Sequence, residues 1–565
     1  MKKLFIALCC ALFFSSIWAQ RAPYSYVVLL KDKDTSTYSL SNPNKFLSEK
    51  AVAKRRHFRL PIQYMDVPVN AAYLDTLSHL DSSVQLLTAS KWFNYAVVAT
   101  YDSAGIRKEL LERISSFPWV SGLYATHQVP DSLFTACFQE VCRTEAVEAA
   151  ETAGRRMERH ARPASHETDS LPDEYWGRSA LQLKALNGLY LHRNHYRGEQ
   201  MLVAVIDNGF LYADSLHYFQ SLRDRNGIAC AVDKSCQSAG LYRNTGSHGM
   251  MVLSIMAINE PYDYVGSAPE ATYLLIRTER DDYEDVLEEY FWVSGAEYAD
   301  SMGADVVNSS LGYTDFDWNE QNHLWTHLDG KHSFASIAAE KLCRTAVVNV
   351  AAGNDGDNVW RYFGIPSDAP SLLCVAAMSA DSIVAPFSSH GDSIWVKPDI
   401  ISVGWLCAYC GTDDTIRFGN GTSFATPLNA GLTACLWQAF PDKTADQVMQ
   451  AVRKSSHLYP LHDSLYGYGI PDYEKAFTIL KNSTETDEVP LLSFRIYPNP
   501  ARDACWIESE GGVACLYDSK GQILRSLNLD SSRTFFSVKD LPAGIYFIRV
   551  CRDGRTGVQK LEVVR

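Results

Sequence analysis

Across 565 residues the sequence has no fixed-period repeat, no excess of positive charge and no apolar run long enough to cross a bilayer. The first absence excludes collagen, coiled-coil and solenoid architectures. Lys plus Arg number 52 against 66 Asp plus Glu, and the formal charge of −14 leaves no bulk positive field to hold nucleic acid. The apolar run Leu4–Phe14 covers roughly half a bilayer core at about 1.5 Å per residue, so no transmembrane anchor is expected. Disorder is excluded as well, because 46% hydrophobic and 21% charged residues match packed globular protein. A metal-binding set is also missing. Cys407-Ala408-Tyr409-Cys410 is a CxxC string, but no second ligand pair stands at zinc-site spacing.

What is present begins with a secretory layout. Lys2 and Lys3 precede the apolar run, and Ser15-Ser16-Ile17-Trp18-Ala19 supplies small residues before a cut after Ala19, so 1–19 reads as a signal peptide. Cys9 and Cys10 do not make it a lipoprotein signal: Leu8 is too large for that cleavage, and no Gly, Ala or Ser precedes Cys10. An exported product enters a compartment that permits disulfides. Near pairs are Cys137/Cys142, Cys230/Cys236 and Cys407/Cys410, the last read as a local disulfide; Cys435, in an apolar helix, reads as a buried free thiol.

Composition changes divide the rest. Residues 20–129 read as mixed α and β, with strand-like Tyr26–Leu30 and Tyr95–Ala99 on either side of the basic stretch Lys50–Arg56. Over 130–174 core-sized apolar runs vanish. Arg155-Arg156-Met157-Glu158-Arg159-His160-Ala161-Arg162 sits in this part, which reads as an exposed linker and processing region. Residues 175–480 are α/β: apolar strands Leu202–Ile206, Ala304–Asn308, Ala346–Ala351 and Leu372–Ala376 alternate with helices near Glu288–Met302 and Ser333–Leu342. That pattern predicts a mainly parallel sheet covered on both faces, three layers in all. A polar linker over 481–493 leads to 494–565, short strands and turns such as Ser519-Lys520-Gly521 and Asp553-Gly554 that predict a small all-β sandwich.

Three segments of the α/β region carry chemistry. The strand Val203–Ile206 runs straight into Asp207-Asn208-Gly209, which shields an acid yet aims it at a partner. His248, with Gly246 and Gly249 close on both sides, opens an apolar helix. Ser423, in Asn420-Gly421-Thr422-Ser423-Phe424-Ala425-Thr426-Pro427, starts a helix where unpaired N–H groups and the dipole favour developing negative charge. Each has a plainer reading, since strand-end acids serve many sites, such a histidine can be a cap, and serine before a helix is an ordinary N-cap. The chain order Asp, His, Ser separates this set from the chymotrypsin and α/β-hydrolase orders.

On these strings the region from Tyr175 to Leu480 resembles the subtilisin-like serine peptidases, the subtilases. The resemblance implies catalytic roles for Asp207, His248 and Ser423 in acyl-enzyme chemistry that requires no cofactor. It adds Asn354, in Ala351-Ala352-Gly353-Asn354, as an oxyanion donor, and Ser310, Leu311 and Gly312 as the strand that pairs with substrate. Met250-Met251 departs from the small residue usual after the histidine and glycine, and is expected to narrow the site near the imidazole. Structural calcium occurs in the family. The acidic cluster Glu279, Asp281, Asp282, Glu284, Asp285, Glu288 and Glu289 matches no such site, however, and reads as a solvated helix face with Tyr290 and Trp292 beside it.

The flanks carry resemblances of their own. Asn42-Pro43, Phe46-Leu47-Ser48, Arg55-Arg56 and Lys91-Trp92-Phe93-Asn94 are similar to the N-terminal part of Bacteroidetes-type secreted subtilases, implying an α+β propeptide that assists folding and inhibits. Ile496-Tyr497-Pro498-Asn499-Pro500, Leu541–Val550 and Lys560–Arg565 resemble a type IX secretion sorting domain, implying passage through periplasm and outer membrane to the surface or medium. The expectation is a secreted serine endopeptidase made as a zymogen, with polypeptide substrates, its own propeptide and the type IX machinery as partners. A catalytically silent surface or binding protein keeping the fold is the alternative. Intact Asp207, His248, Ser423 and Asn354 argue against it.

Overall fold

The computed structural model describes residues 24–34, 36–100, 108–152, 171–236, 240–243, 245–392, 396–483, 494–509, 511–518, 523–529, 533–552 and 555–565. The signal stretch 1–19 with Cys9 and Cys10, the arginine run 155–162, most of the polar linker 481–493, and the turns Ser519-Lys520-Gly521 and Asp553-Gly554 lie outside them. Contacts divide the chain into two units, Met1–Leu480 and Lys481–Arg565.

The first unit begins with an antiparallel sheet in the order β2-β3-β1-β4, built from β1 (Tyr24–Leu30), β2 (Val84–Ser90), β3 (Tyr95–Thr100) and β4 (Val120–Ala125). Helix α1 (Glu49–Phe58) is capped by Ser48, whose side chain accepts from the Ala51 N–H. Helices α2 (Ala71–Ser78) and α3 (Lys108–Ser115) complete this α+β part. The expected linker starts instead as a helix, α4 (Asp131–Thr152). Leu133, Phe134 and Cys137 pack on the core and Val141 is fully buried, with the Phe134 and Phe334 rings edge-on at 4.9 Å. Their helical spacing makes one apolar face that is too sparse to register as a run in the sequence.

Next come β5 (Leu202–Asp207), β6 (Ile228–Asp233), α5 (His248–Ala257), β7 (Thr272–Arg277), α6 (Leu287–Met302), β8 (Val306–Ser309) and α7 (Phe334–Leu342). After them follow β9 (Val347–Ala351), β10 (Leu373–Met378), β11 (Ile400–Val403), the hairpin β12 (Cys407–Cys410) and β13 (Ile416–Gly419), and α8 (Thr422–Ala439). Seven strands form one sheet in the order β11-β10-β9-β8-β5-β7-β6, every neighbour parallel. Strands β5, β8, β9, β10 and β11 are buried throughout, which requires helices on both faces: α5 and α8 on one, α6 and α7 on the other. The chain leaves β5, β8 and β9 on the same sheet edge, where ligands of open α/β sheets bind.

Helix α6 also receives the N-terminal part. Glu297 accepts hydrogen bonds from the Ser90 hydroxyl (2.5 Å) and from the Lys91 and Trp92 N–H groups (3.0 and 2.9 Å). Arg55 pairs with Asp300 at 2.6 Å and Lys54 with Asp305 at 2.8 Å. These contacts account for the Arg55 and Lys91-Trp92 strings in physical terms: a buried acid on α6 meets each of them.

Cys407 and Cys410 are free thiols, which overturns the expected local disulfide. They end one four-residue strand, and side chains three apart on a strand leave opposite faces. Cys230 and Cys236 are likewise free, while Cys435 is the buried free thiol expected of it.

The second unit holds two antiparallel sheets. One contains Arg495–Tyr497, Ala504–Glu508 and Arg533–Ser537; the other contains Gly512–Tyr517, Ile523–Leu529, Gly544–Arg552 and Arg555–Val563. Ile496, Ile507 and Phe536 from the first meet Leu516, Ile548 and Leu561 from the second in one core, a β-sandwich. Among the described residues no helix is long and apolar enough to cross a membrane.

Candidate active site

Asp207 is the last residue of β5 and 1% exposed. Its Oδ1 accepts the Asn208 N–H at 2.9 Å and the His248 Nδ1–H at 2.8 Å. His248 reaches it because it is the first residue of α5, and because Gly249 lets that helix end close on the strand. A Cβ at 249 would lie 2.5 Å from the Gly209 carbonyl oxygen and 2.9 Å from the Asp207 Cβ. The glycine after His248 therefore lets backbone approach the strand end closely. Met250 is fully buried and Met251 packs on the core, and neither lines the cleft, so the expected narrowing beside the imidazole does not occur.

Ser423 is the second residue of α8, so its N–H has no acceptor within the helix. Pro427 four residues on has no N–H to give the Ser423 carbonyl. The Ser310 hydroxyl supplies that bond instead, at 2.9 Å, and is itself held by the Asn308 side-chain amide at 3.0 Å. The proline of the serine string thus ties the helix start to the Ser310-Leu311-Gly312 segment.

Asn354 follows β9. Its Oδ1 accepts the Thr422 N–H at 2.9 Å and the Thr422 hydroxyl at 3.2 Å, while Thr422 Oγ1 accepts the Gly353 N–H at 3.1 Å. Because a backbone N–H can only donate, this fixes which end of the amide is oxygen and leaves Nδ2 as the donor toward the cleft. A Cβ built on Gly421 would lie 2.8 Å from Ser423 Oγ and 3.9 Å from Asn354 Nδ2, so hydroxyl and amide bracket one small space. Thr422 escaped sequence reasoning; its signal was its place between Gly421 and Ser423.

All of these residues line one cleft of about 370 Å³: Asp207, His248 and Ser423, Asn354, and Ser310 with Leu311 and Gly312. Burial alone would lower the His248 pKa, but the Asp207 carboxylate, by charge and hydrogen bond, and Glu279 beyond it leave it raised above 6.5. With His248 as the base of a hydrolysis, activity would be lost as pH falls through that raised value, since a base must be unprotonated to act. The acid limb of kcat/KM is expected to have its midpoint above 6.5, and Asp207→Asn should move it down. A pH profile on a neutral peptide measures both; a midpoint unchanged in the variant would detach Asp207 from His248.

The acidic cluster is not a solvated face. Asp285, Glu288 and Glu289 are 2%, 1% and 4% exposed, leaving Asp281, Asp282 and Glu284 outside. Burial is tolerated because each finds partners. Glu289 binds His323 and Ser333, Asp285 accepts the Leu287 N–H, and Glu288 accepts the Arg280 N–H. Glu279 accepts the Thr278 and Tyr313 hydroxyls at 2.7 and 2.8 Å. Trp292 and Tyr290 are core, donating to Ser309 and to the Thr126 carbonyl. Among the described residues no group of three or more His, Cys, Asp or Glu side chains is disposed to hold a metal ion.

Residues 198–469 match the subtilase family, 25–136 the peptidase S8 propeptide domain of Bacteroidota, and 495–564 the secretion system C-terminal sorting domain. The chain is 27% identical over 334 residues to subtilisin E of Bacillus subtilis (strain 168), covering 58% of this chain and 78% of that one. To a subtilisin of Bacillus pumilus it is 28% identical over 294 residues, 51% of this chain and 94% of the other. Among solved structures, MycP1 from Mycobacterium smegmatis aligns with a TM-score of 0.42 at 21% identity, over 57% of this chain and 92% of its own. The chain is a subtilisin-like serine endopeptidase made as a zymogen: a subtilase domain behind a Bacteroidota-type propeptide domain and ahead of a type IX sorting domain that directs it to the cell surface or medium.

Proposed function

We propose that Asp207, His248 and Ser423 perform the hydrolysis, with Asn354 as oxyanion donor and Ser310, Leu311 and Gly312 as the strand that aligns the substrate polypeptide. The observation that carries this reading is the 2.8 Å bond from His248 Nδ1 to Asp207 Oδ1 at a cleft shared with Ser423 and Asn354. Asp207 holds the imidazole in the tautomer whose Nε2 is free to accept a proton. Ser423 Oγ attacks the peptide carbonyl carbon as His248 Nε2 takes its proton. The oxyanion is held by the Ser423 N–H and Asn354 Nδ2. The C–N bond then breaks, with the proton passing from His248 to the amine. Water, deprotonated by His248, hydrolyses the ester and frees Ser423. None of these steps calls on a cofactor.

In this reading the N-terminal domain, anchored on Glu297, Asp300 and Asp305, is the chain's own inhibitor until it is removed. A fluorophosphonate probe is expected to label the mature chain at Ser423 and to leave Ser423→Ala unlabelled. An unlabelled mature wild type would favour the silent-protein alternative.

A further inference from the structure

Pro427 removes a hydrogen bond at the very residue that is to attack. In an α-helix the carbonyl of residue 423 would accept the N–H of residue 427, and proline has none. A buried carbonyl has to find another donor. For Ser423 that donor is the Ser310 hydroxyl, 2.9 Å away and 113 positions earlier in the chain.

The bond has a fixed direction. A carbonyl oxygen only accepts, so the Ser310 hydrogen points at Ser423, and Ser310 Oγ accepts from Asn308 Nδ2 at 3.0 Å. Asn308 is fully buried, and its Oδ1 meets no donor among the described residues. Burying an amide with one end unmade is costly; the end that is made is the one that orients Ser310. The segment offering the hydroxyl is braced on both sides. Trp292 Nε1 donates to the Ser309 hydroxyl at 2.9 Å, and Tyr313 exchanges backbone bonds of 2.7 and 3.0 Å with Ile365.

On the other side of the Ser423 Cα, the Thr426 hydroxyl donates to the Thr422 carbonyl at 2.8 Å. Both peptide planes that meet at Ser423 are therefore fixed by side-chain hydroxyls. One plane carries the Ser423 N–H, and the two together set where its Cβ points, which leaves Oγ a single torsion.

We propose that Ser310, oriented by Asn308, is a positioning residue for the nucleophile: its hydroxyl replaces the helix bond that Pro427 removes and aims Ser423 from the segment that pairs with substrate. This rests on the catalytic reading above and gives Ser310 a second task, separate from backbone pairing with the peptide.

The test compares mature wild type with variants. A small fluorophosphonate reacts with Ser423 without a paired peptide strand, so its labelling rate reports the aim of the nucleophile alone. Ser310→Ala is expected to slow labelling and to lower peptide kcat by a similar factor, roughly ten- to a hundredfold, with KM nearly unchanged because pairing uses backbone groups. Asn308→Ala should give a smaller loss, and none on top of Ser310→Ala. Pro427→Ala supplies the rescue: it returns an N–H to position 427, and in that background Ser310→Ala should cost no more than about threefold. Thermal unfolding of each variant checks that the chain is folded. A folded Ser310→Ala that is labelled at the wild-type rate overturns the proposal, and so does a loss just as large in the Pro427→Ala background. Where Ser310→Ala does not fold, Asn308→Ala decides: labelling at the wild-type rate overturns the relay. Failure of wild type to be labelled at all is the separate result that sinks the catalytic reading.

Discussion

Ser423→Ala is expected to lower kcat about a millionfold on a fluorogenic peptide, with peptide affinity changed little. The variant removes the attacking oxygen and nothing else that the cleft depends on. The Ser423 carbonyl still accepts the Ser310 hydroxyl, the Ser423 N–H still faces the oxyanion position, and Thr422 still meets Asn354. What remains is binding plus an oxyanion site with no nucleophile, which leaves a small residual rate over water. Single-turnover kinetics of wild type and variant, with peptide binding measured separately, check the two halves. A loss below about a hundredfold would mean that another group attacks.

Asn354→Ala should lower kcat by a hundred- to a thousandfold with KM nearly unchanged, about 3–4 kcal/mol of stabilisation felt only when the carbonyl oxygen becomes charged. The amide has two ends with separate tasks. Its oxygen anchors the first turn of α8 through Thr422, so alanine also loosens the helix start that carries Ser423. Asn354→Asp separates the effects: the carboxylate keeps an acceptor for Thr422 but places negative charge where the oxyanion forms. That variant should retain thermal stability near wild type and lose at least as much kcat as alanine. If Asn354→Asp is as active as wild type, the amide nitrogen has no part in the reaction.

Several features were legible without coordinates because they depend on short-range rules. Uninterrupted apolar strands separated by helices can be buried on both sides only in a parallel sheet with covered faces, so the three layers followed from Leu202–Ile206 and its counterparts. The strand end at Asp207 and the helix starts at His248 and Ser423 were read from the same short strings, although none of them named its partner. Misreadings came where a residue's surroundings are supplied by distant segments. Asp285, Glu288 and Glu289 look solvated in a string of charges, yet Arg280, His323 and Ser333 make their burial affordable. The sparse face of α4 needed Phe334, two hundred positions on, to become core.

From the order of residues alone came the chemical cast: an acid at a strand end, an imidazole at a helix start and a hydroxyl at another, in the subtilase succession, flanked by an export domain and a propeptide. Distance and charge balance were left to the tertiary structure, because both sum over atoms far apart in the chain. Folding brought Asp207 and His248 to 2.8 Å, bound the Asn354 oxygen to Thr422, and put Glu279 and Glu288 in the wall of the same cleft.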